Sequence, residues 1–106
     1  MTVRRQEQIH SNAVSKGFWK GNIDVNFVLA KLCLIHSEVS EMMEAVRKEQ
    51  GTEKILDEAA DIVIRLEDLI EGMYYSGWIY NNDLDGAIAA KMATNKDRPA
   101  LHGNLI

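Results

Sequence analysis

Four carboxylates are the residues of this chain whose type and spacing suggest chemistry. Glu38 and Glu41 stand three apart in the run EVSE, and Glu58 and Asp61 stand three apart in EAAD, with 16 residues between the pairs. Residues three apart on an α-helix share a face, one turn above the other. The two pairs fall on two helical segments separated by a break at Gln50-Gly51-Thr52. If those helices fold back antiparallel, the four acids converge. Like charges repel when gathered, and a hard divalent cation, which prefers oxygen ligands, is what would hold them together.

A second group lies near the C-terminus. Lys91 and Asn95 are four apart and share a helix face, and Arg98 follows just before Pro99. Cations beside a metal site suit a polyphosphate, and an arginine can hold phosphate oxygens in bidentate fashion. The plainer account is that cations favour a helix C-terminus. Trp19 and Phe18 form a loop pair that could stack on a nucleobase or close the edge of a core. His102 lies near Arg98, within reach of a bound phosphate. The chain has no Gly-rich phosphate loop, no Ser/His/Asp arrangement and no CxxC pair.

The elements that must position these residues are helices. The first runs from Val3 to about Ser15 and ends at Gly17. Asp24 or Asn26 caps a second, long helix reaching about Glu49, with Val28, Leu32, Ile35, Val39, Met42 and Val46 as its inner seam. Gly51 closes it and Thr52 caps a third helix, which runs to about Gly72 with Ile55, Ala59, Ile62, Leu66, Leu69 and Met73 inside. Asn82 or Asp83 starts a fourth, with Leu84, Ile88 and Met92 inside, and Pro99 bars its continuation. At 100° per residue, Glu38 lies about 80° from the centre of its seam, and Glu58 falls about 20° from Leu69, within the apolar arc. A glutamate there is costly unless paired or coordinated. The competing account makes the acids a solvated face with Arg65 and Lys54 as ion-pair partners. Glu44, Glu49, Glu53, Glu67 and Glu71 are read as such a face.

Composition bounds the rest. A chain of 106 residues makes one domain, 1–106, with a modest core, so a homo-oligomer is expected. The net charge of −4 argues against a general nucleic-acid binder. Lys31 and His36 interrupt the best apolar run, which speaks against a membrane span, and MTVRRQEQ lacks a secretory apolar segment. The single cysteine, Cys33, permits no internal disulfide, and its neighbours Leu32 and Leu34 suggest a buried thiol. A cytoplasmic location is expected.

The segments KGFW, LIHSEVSE, EAADIVIRLEDL and KMATNKDRPALHG together resemble the small, single-domain MazG-like branch of the all-α nucleoside triphosphate pyrophosphohydrolases. The likeness covers most of the chain. It implies an all-α, four- to five-helix bundle, assembled as a homodimer or homotetramer with sites at subunit contacts. It further implies Mg2+-dependent hydrolysis, with Mn2+ as a substitute, of a nucleoside triphosphate to the monophosphate and pyrophosphate. Glu38, Glu41, Glu58 and Asp61 match its metal-binding acids, with Glu38 or Glu41 as general base and Lys91, Asn95, Arg98 and Trp19 toward substrate. Ser37 stands where many relatives carry a further acid. Two other classes remain open: a non-catalytic oligomeric regulator, and an iron or manganese carboxylate bundle, whose sites usually add histidine in an ExxH pattern.

Overall fold

The computed structural model describes residues 4–97. Four helices follow one another: α1 (Arg5–Ser15), α2 (Val25–Arg47), α3 (Thr52–Tyr75) and α4 (Leu84–Lys96). No strand occurs among the described residues, and the arrangement is consistent with a helical bundle.

Local chemistry sets the boundaries. The Asp24 carboxylate accepts the backbone N–H of Phe27 at 2.9 Å, so of the two caps expected, Asp24 and Asn26, the first starts α2. Asp83 does the same for α4 through Gly86 N–H at 2.9 Å. Thr52 does not cap α3; it is the first helical residue, and Gly51 precedes it with φ +95°. Glu49, at φ +51°, takes a second left-handed step in the same connection. Those two steps reverse the chain in four residues and lay α2 and α3 side by side, antiparallel.

α3 is the central helix. α2 packs along its N-terminal half and α1 across its C-terminal half. α4 lies lightly against the rest, with none of its described residues buried. Ile88 and Met92, expected inside, are exposed.

The α1–α3 contact is polar. Arg5 forks onto Glu67. Glu71, fully buried, accepts from Gln6 at 2.7 Å, Asn82 at 2.9 Å and Arg4 at 3.2 Å. Asp68 accepts the Trp19 indole N–H on both oxygens, at 2.9 and 3.0 Å, and sits 2.8 Å from His10 Nδ1. Glu67 and Glu71 are therefore not a solvated face. They are buried because Arg4, Arg5 and Gln6 of the crossing helix supply the donors that water would otherwise give.

The inner seam of α2 also differs from expectation. Val28 is buried and Ile35 and Met42 half-buried, but Leu32, Val39 and Val46 are exposed. The helix is rotated so that Lys31, Glu38 and Ala45 turn inward. Ala45, only 1% exposed, has the small side chain that a close helix crossing needs. The rotation leaves Val25, Leu29, Leu32, His36, Val39, Met43 and Val46 facing outward at alternating spacings of 4 and 3. On α3, Leu56, Val63 and Leu66 are similarly exposed. In an antiparallel pair, stripes offset from the mutual contact in the same rotational sense by about 80–110° share one side of the hairpin, and α1 packs elsewhere. Cys33 is exposed rather than buried, on the flank of this side.

Trp19 wedges against Gly72, where a Cβ would stand 2.0 Å from the indole ring. A rigid ring cannot yield that space. Gly72→Ala is expected to lower unfolding stability by about 2 kcal/mol or more, read as a shift of the urea midpoint; an unchanged midpoint would mean that the α1–α3 crossing is not packed this way.

Candidate metal centre

Glu38 reaches inward from α2, half-buried, while Glu58 and Asp61 project from successive turns of α3. One carboxylate oxygen from each of the three lies within 4.8 Å of the other two. Glu58 is 4% exposed, as its place in the apolar arc predicts, and Asp61 is at the open rim. Glu41 is not part of this trio. It lines an adjoining open groove of about 510 Å3 with Ser37, Lys54 and Glu58.

Two cations already meet the trio. Lys54 Nζ lies 2.8 Å from Glu58 Oε1, and Arg65 Nε donates to Glu38 Oε1 at 2.9 Å. These are the partners that the solvated-face account named. Among the described residues, however, three acids share two cations, and Asp61 has no ion pair. Burial raises the Asp61 pKa above its ordinary value, and the charges of Glu38, Asp57 and Glu58 raise it further, against Arg65. Lys54 is held more firmly protonated, chiefly by its hydrogen bond to Glu58.

The donor set fits a hard cation. Mg2+ binds oxygen at about 2.0–2.1 Å, so opposite ligands stand about 4.2 Å apart. Oxygens already within 4.8 Å need only a small turn of a flexible glutamate to close on such an ion.

Beside the trio, a cleft of about 290 Å3 between α1 and α3 is lined by Ile9, Asn12, Phe18, Asp61, Ile64 and Arg65, among others. It adjoins a second cleft, about 280 Å3, formed by Phe18, Lys31, Leu34, Arg65 and Asp68. Phe18 is 57% exposed at the mouth shared by both. Trp19, expected to face substrate, is instead part-buried against His10, Phe27 and Gly72. Lys91 and Asn95 lie on the lightly packed α4 and line none of these clefts. Arg98 and His102 fall outside the described residues.

Sequence reasoning missed Asp68 and Lys31. Asp68 stands seven residues after Asp61, two helical turns along nearly the same face, and that spacing was a usable signal. Lys31 stands four residues after Phe27 on one helix face, but its other ring partners, Phe18 and Trp19, come from a loop whose position the spacing did not give.

No family model, curated protein or solved structure matches this chain.

Asp61 supplies a test of sign. A carboxyl whose pKa is raised in the folded state opposes folding when ionised, at pH above the raised value, and this opposition fades as pH falls toward the ordinary aspartate range. In chelator at neutral pH, Asp61→Asn should therefore melt no lower than wild type, and any gain should shrink on acidification. With millimolar Mg2+ the order should reverse, because a cation that binds only the folded protein stabilises it by mass action. A mutant that melts well below wild type in chelator, with neither protein responding to Mg2+, points to a structural salt-bridge cluster.

Proposed function

We propose that this protein is a Mg2+-dependent nucleoside triphosphate pyrophosphohydrolase, with Mn2+ as a substitute, that converts a nucleoside or deoxynucleoside triphosphate to the monophosphate and pyrophosphate. The observation that supports it most is the meeting of Glu38, Glu58 and Asp61 from two helices beside clefts that carry both an aromatic face and cations. The likeness of the acid spacing to the MazG-like pyrophosphohydrolases points the same way. The biological task consistent with this activity is clearing unwanted nucleotides from the cytoplasmic pool.

Bound at the trio, the cation would neutralise phosphate charge and orient a water for in-line attack at the α-phosphorus. Glu38, Glu58 and Asp61 would hold it. Arg65 orients Glu38 through its 2.9 Å hydrogen bond. We assign the water's proton to Glu41, the acid of the four left outside the trio yet sharing a groove with Glu58. Phe18 offers a base its exposed face, and Asn12 an amide able to donate and accept. Lys91, Asn95 and Arg98 remain candidates for phosphate contact from a second copy, since α4 lies apart from the acids of its own chain.

The assembly proposed is a homodimer or homotetramer, with no nucleic acid or membrane partner. Its support is the outward apolar stripe of α2 beside that of α3, too extensive for a small monomer to leave in water. No described helix is long and apolar enough to cross a membrane.

A second reading keeps the acids neutralised by Lys54 and Arg65 and makes the protein a non-catalytic oligomeric regulator. A panel of canonical and damaged nucleotides with Mg2+, scored for both phosphate products, separates the two. The enzyme releases pyrophosphate and monophosphate. Orthophosphate with nucleoside diphosphate contradicts the regiochemistry, and no product from any nucleotide favours the regulator.

The assembly is checked by sedimentation. Wild type should be at least dimeric at micromolar concentration, and Val39→Lys with Met43→Lys should shift it to monomer while retaining helix content. A fully active wild-type monomer would remove the assembly from the account.

A further inference from the structure

Lys31 is the cation of this chain whose surroundings are least explained by its own fold. Arg4, Arg5, Arg47, Lys48, Lys54 and Arg65 each lie within ion-pair distance of a carboxylate. Lys31 is half-buried and has no such partner among the described residues. Its ammonium lies 4.9 Å from the Trp19 ring centre, 5.3 Å from Phe27 and 6.0 Å from Phe18. One proton is donated to the Phe18 carbonyl at 3.2 Å. Aromatic faces attract a cation and fix its position, but they do not supply the counter-charge that a withdrawn ammonium needs.

Burial lowers the Lys31 pKa, and Arg65 lowers it further while Asp68 opposes. Two cations thus face one cleft, repelling each other across it, with Phe18, Leu34 and Asp68 completing the wall. Asp68 already serves the Trp19 indole and His10. Arg65 spends its Nε–H on Glu38 and makes no other hydrogen bond to the protein among the described residues. Ammonium and guanidinium donors therefore converge on a space beside the three acids. Positive charge that Asp68 and Glu38 offset only in part is what a phosphoryl group, with its several anionic oxygens, would satisfy.

We propose that the cleft between Lys31 and Arg65 binds the β- and γ-phosphates of the triphosphate, the part that departs as pyrophosphate. This rests on the pyrophosphohydrolase reading and gives it an anion site within the same chain. The sequence directed attention to Lys91 and Arg98 instead. Lys31 acts by charge and position, and the aromatic rings hold it there before the ligand arrives.

The test is calorimetric titration of the full chain, in Mn2+, with inorganic pyrophosphate and with an α,β-methylene triphosphate. Lys31→Met keeps the apolar stem against the rings and deletes the charge. It should weaken pyrophosphate binding roughly ten- to a hundred-fold, as expected for losing one hydrogen bond to a charged group, with Mn2+ affinity and melting temperature unchanged. Lys31→Arg should recover most of the binding, and Lys48→Met, which removes an exposed cation just past the end of the same helix, should have no effect. If Lys31→Met misfolds, Lys31→Gln carries the same expectation. Pyrophosphate affinity equal to wild type in a folded Lys31 variant that still binds Mn2+ overturns the proposal and leaves the metal site standing. A wild-type protein that binds neither Mn2+ nor pyrophosphate removes the underlying reading, and this proposal with it.

Discussion

A carboxylate withdrawn from water must be given a cation or a set of donors, and α3 withdraws four: Glu58, Glu67, Asp68 and Glu71. The cost of leaving any of them unpaired is several kcal/mol in order of magnitude. The fold can be derived from that constraint. Glu67 and Glu71 draw the start of α1 across α3 through Arg5, Arg4 and Gln6. Asp68 fixes Trp19 and His10, and Trp19 fills the space that Gly72 leaves open. Glu58 faces α2, where Glu38, together with Asp61 of its own helix, adds like charge instead of relieving it.

These two halves of α3 meet their needs differently. At the C-terminal half the donors to Glu71 and Asp68 come from the chain, although Glu71 Oε2 is buried with no partner among the described residues. At the N-terminal half two cations among the described residues serve three acids, and Asp61 is left at the open rim without an ion pair. That asymmetry separates a structural network from a candidate site. It also accounts for the rotation of α2, which turns Glu38 inward at the expense of Leu32, Val39 and Val46. The apolar residues displaced outward form the stripe on which the proposed assembly rests.

Much of this was legible in the sequence. Helix number, the reversal at Gly51, caps for α2 and α4 to within a choice of two residues each and the convergence of three of the four acids follow from spacing and turn chemistry. The rotation of α2 was not legible. Its apolar residues cover more than half of the helix circumference, so spacing alone allows two seams, and only the polar demand of α3 selects between them. Glu67 and Glu71 were misread because their partners lie more than sixty residues away, at the start of the chain. Cys33 was misread with the seam. Lys31 drew no notice because two of its three rings, Phe18 and Trp19, come from a loop with no linear pattern to it, and Phe27, four residues before it, carries no signal alone.

The central claim is that Glu38, Glu58 and Asp61 hold a divalent cation. Electron paramagnetic resonance of Mn2+ titrated into the full-length protein tests it most directly, since free and bound ions are counted separately. The account predicts saturable Mn2+ binding that Mg2+ displaces and that Glu58→Gln, which keeps shape and removes charge, abolishes. Mn2+ that stays free in the presence of the wild-type protein, or that binds Glu58→Gln equally well, would contradict it.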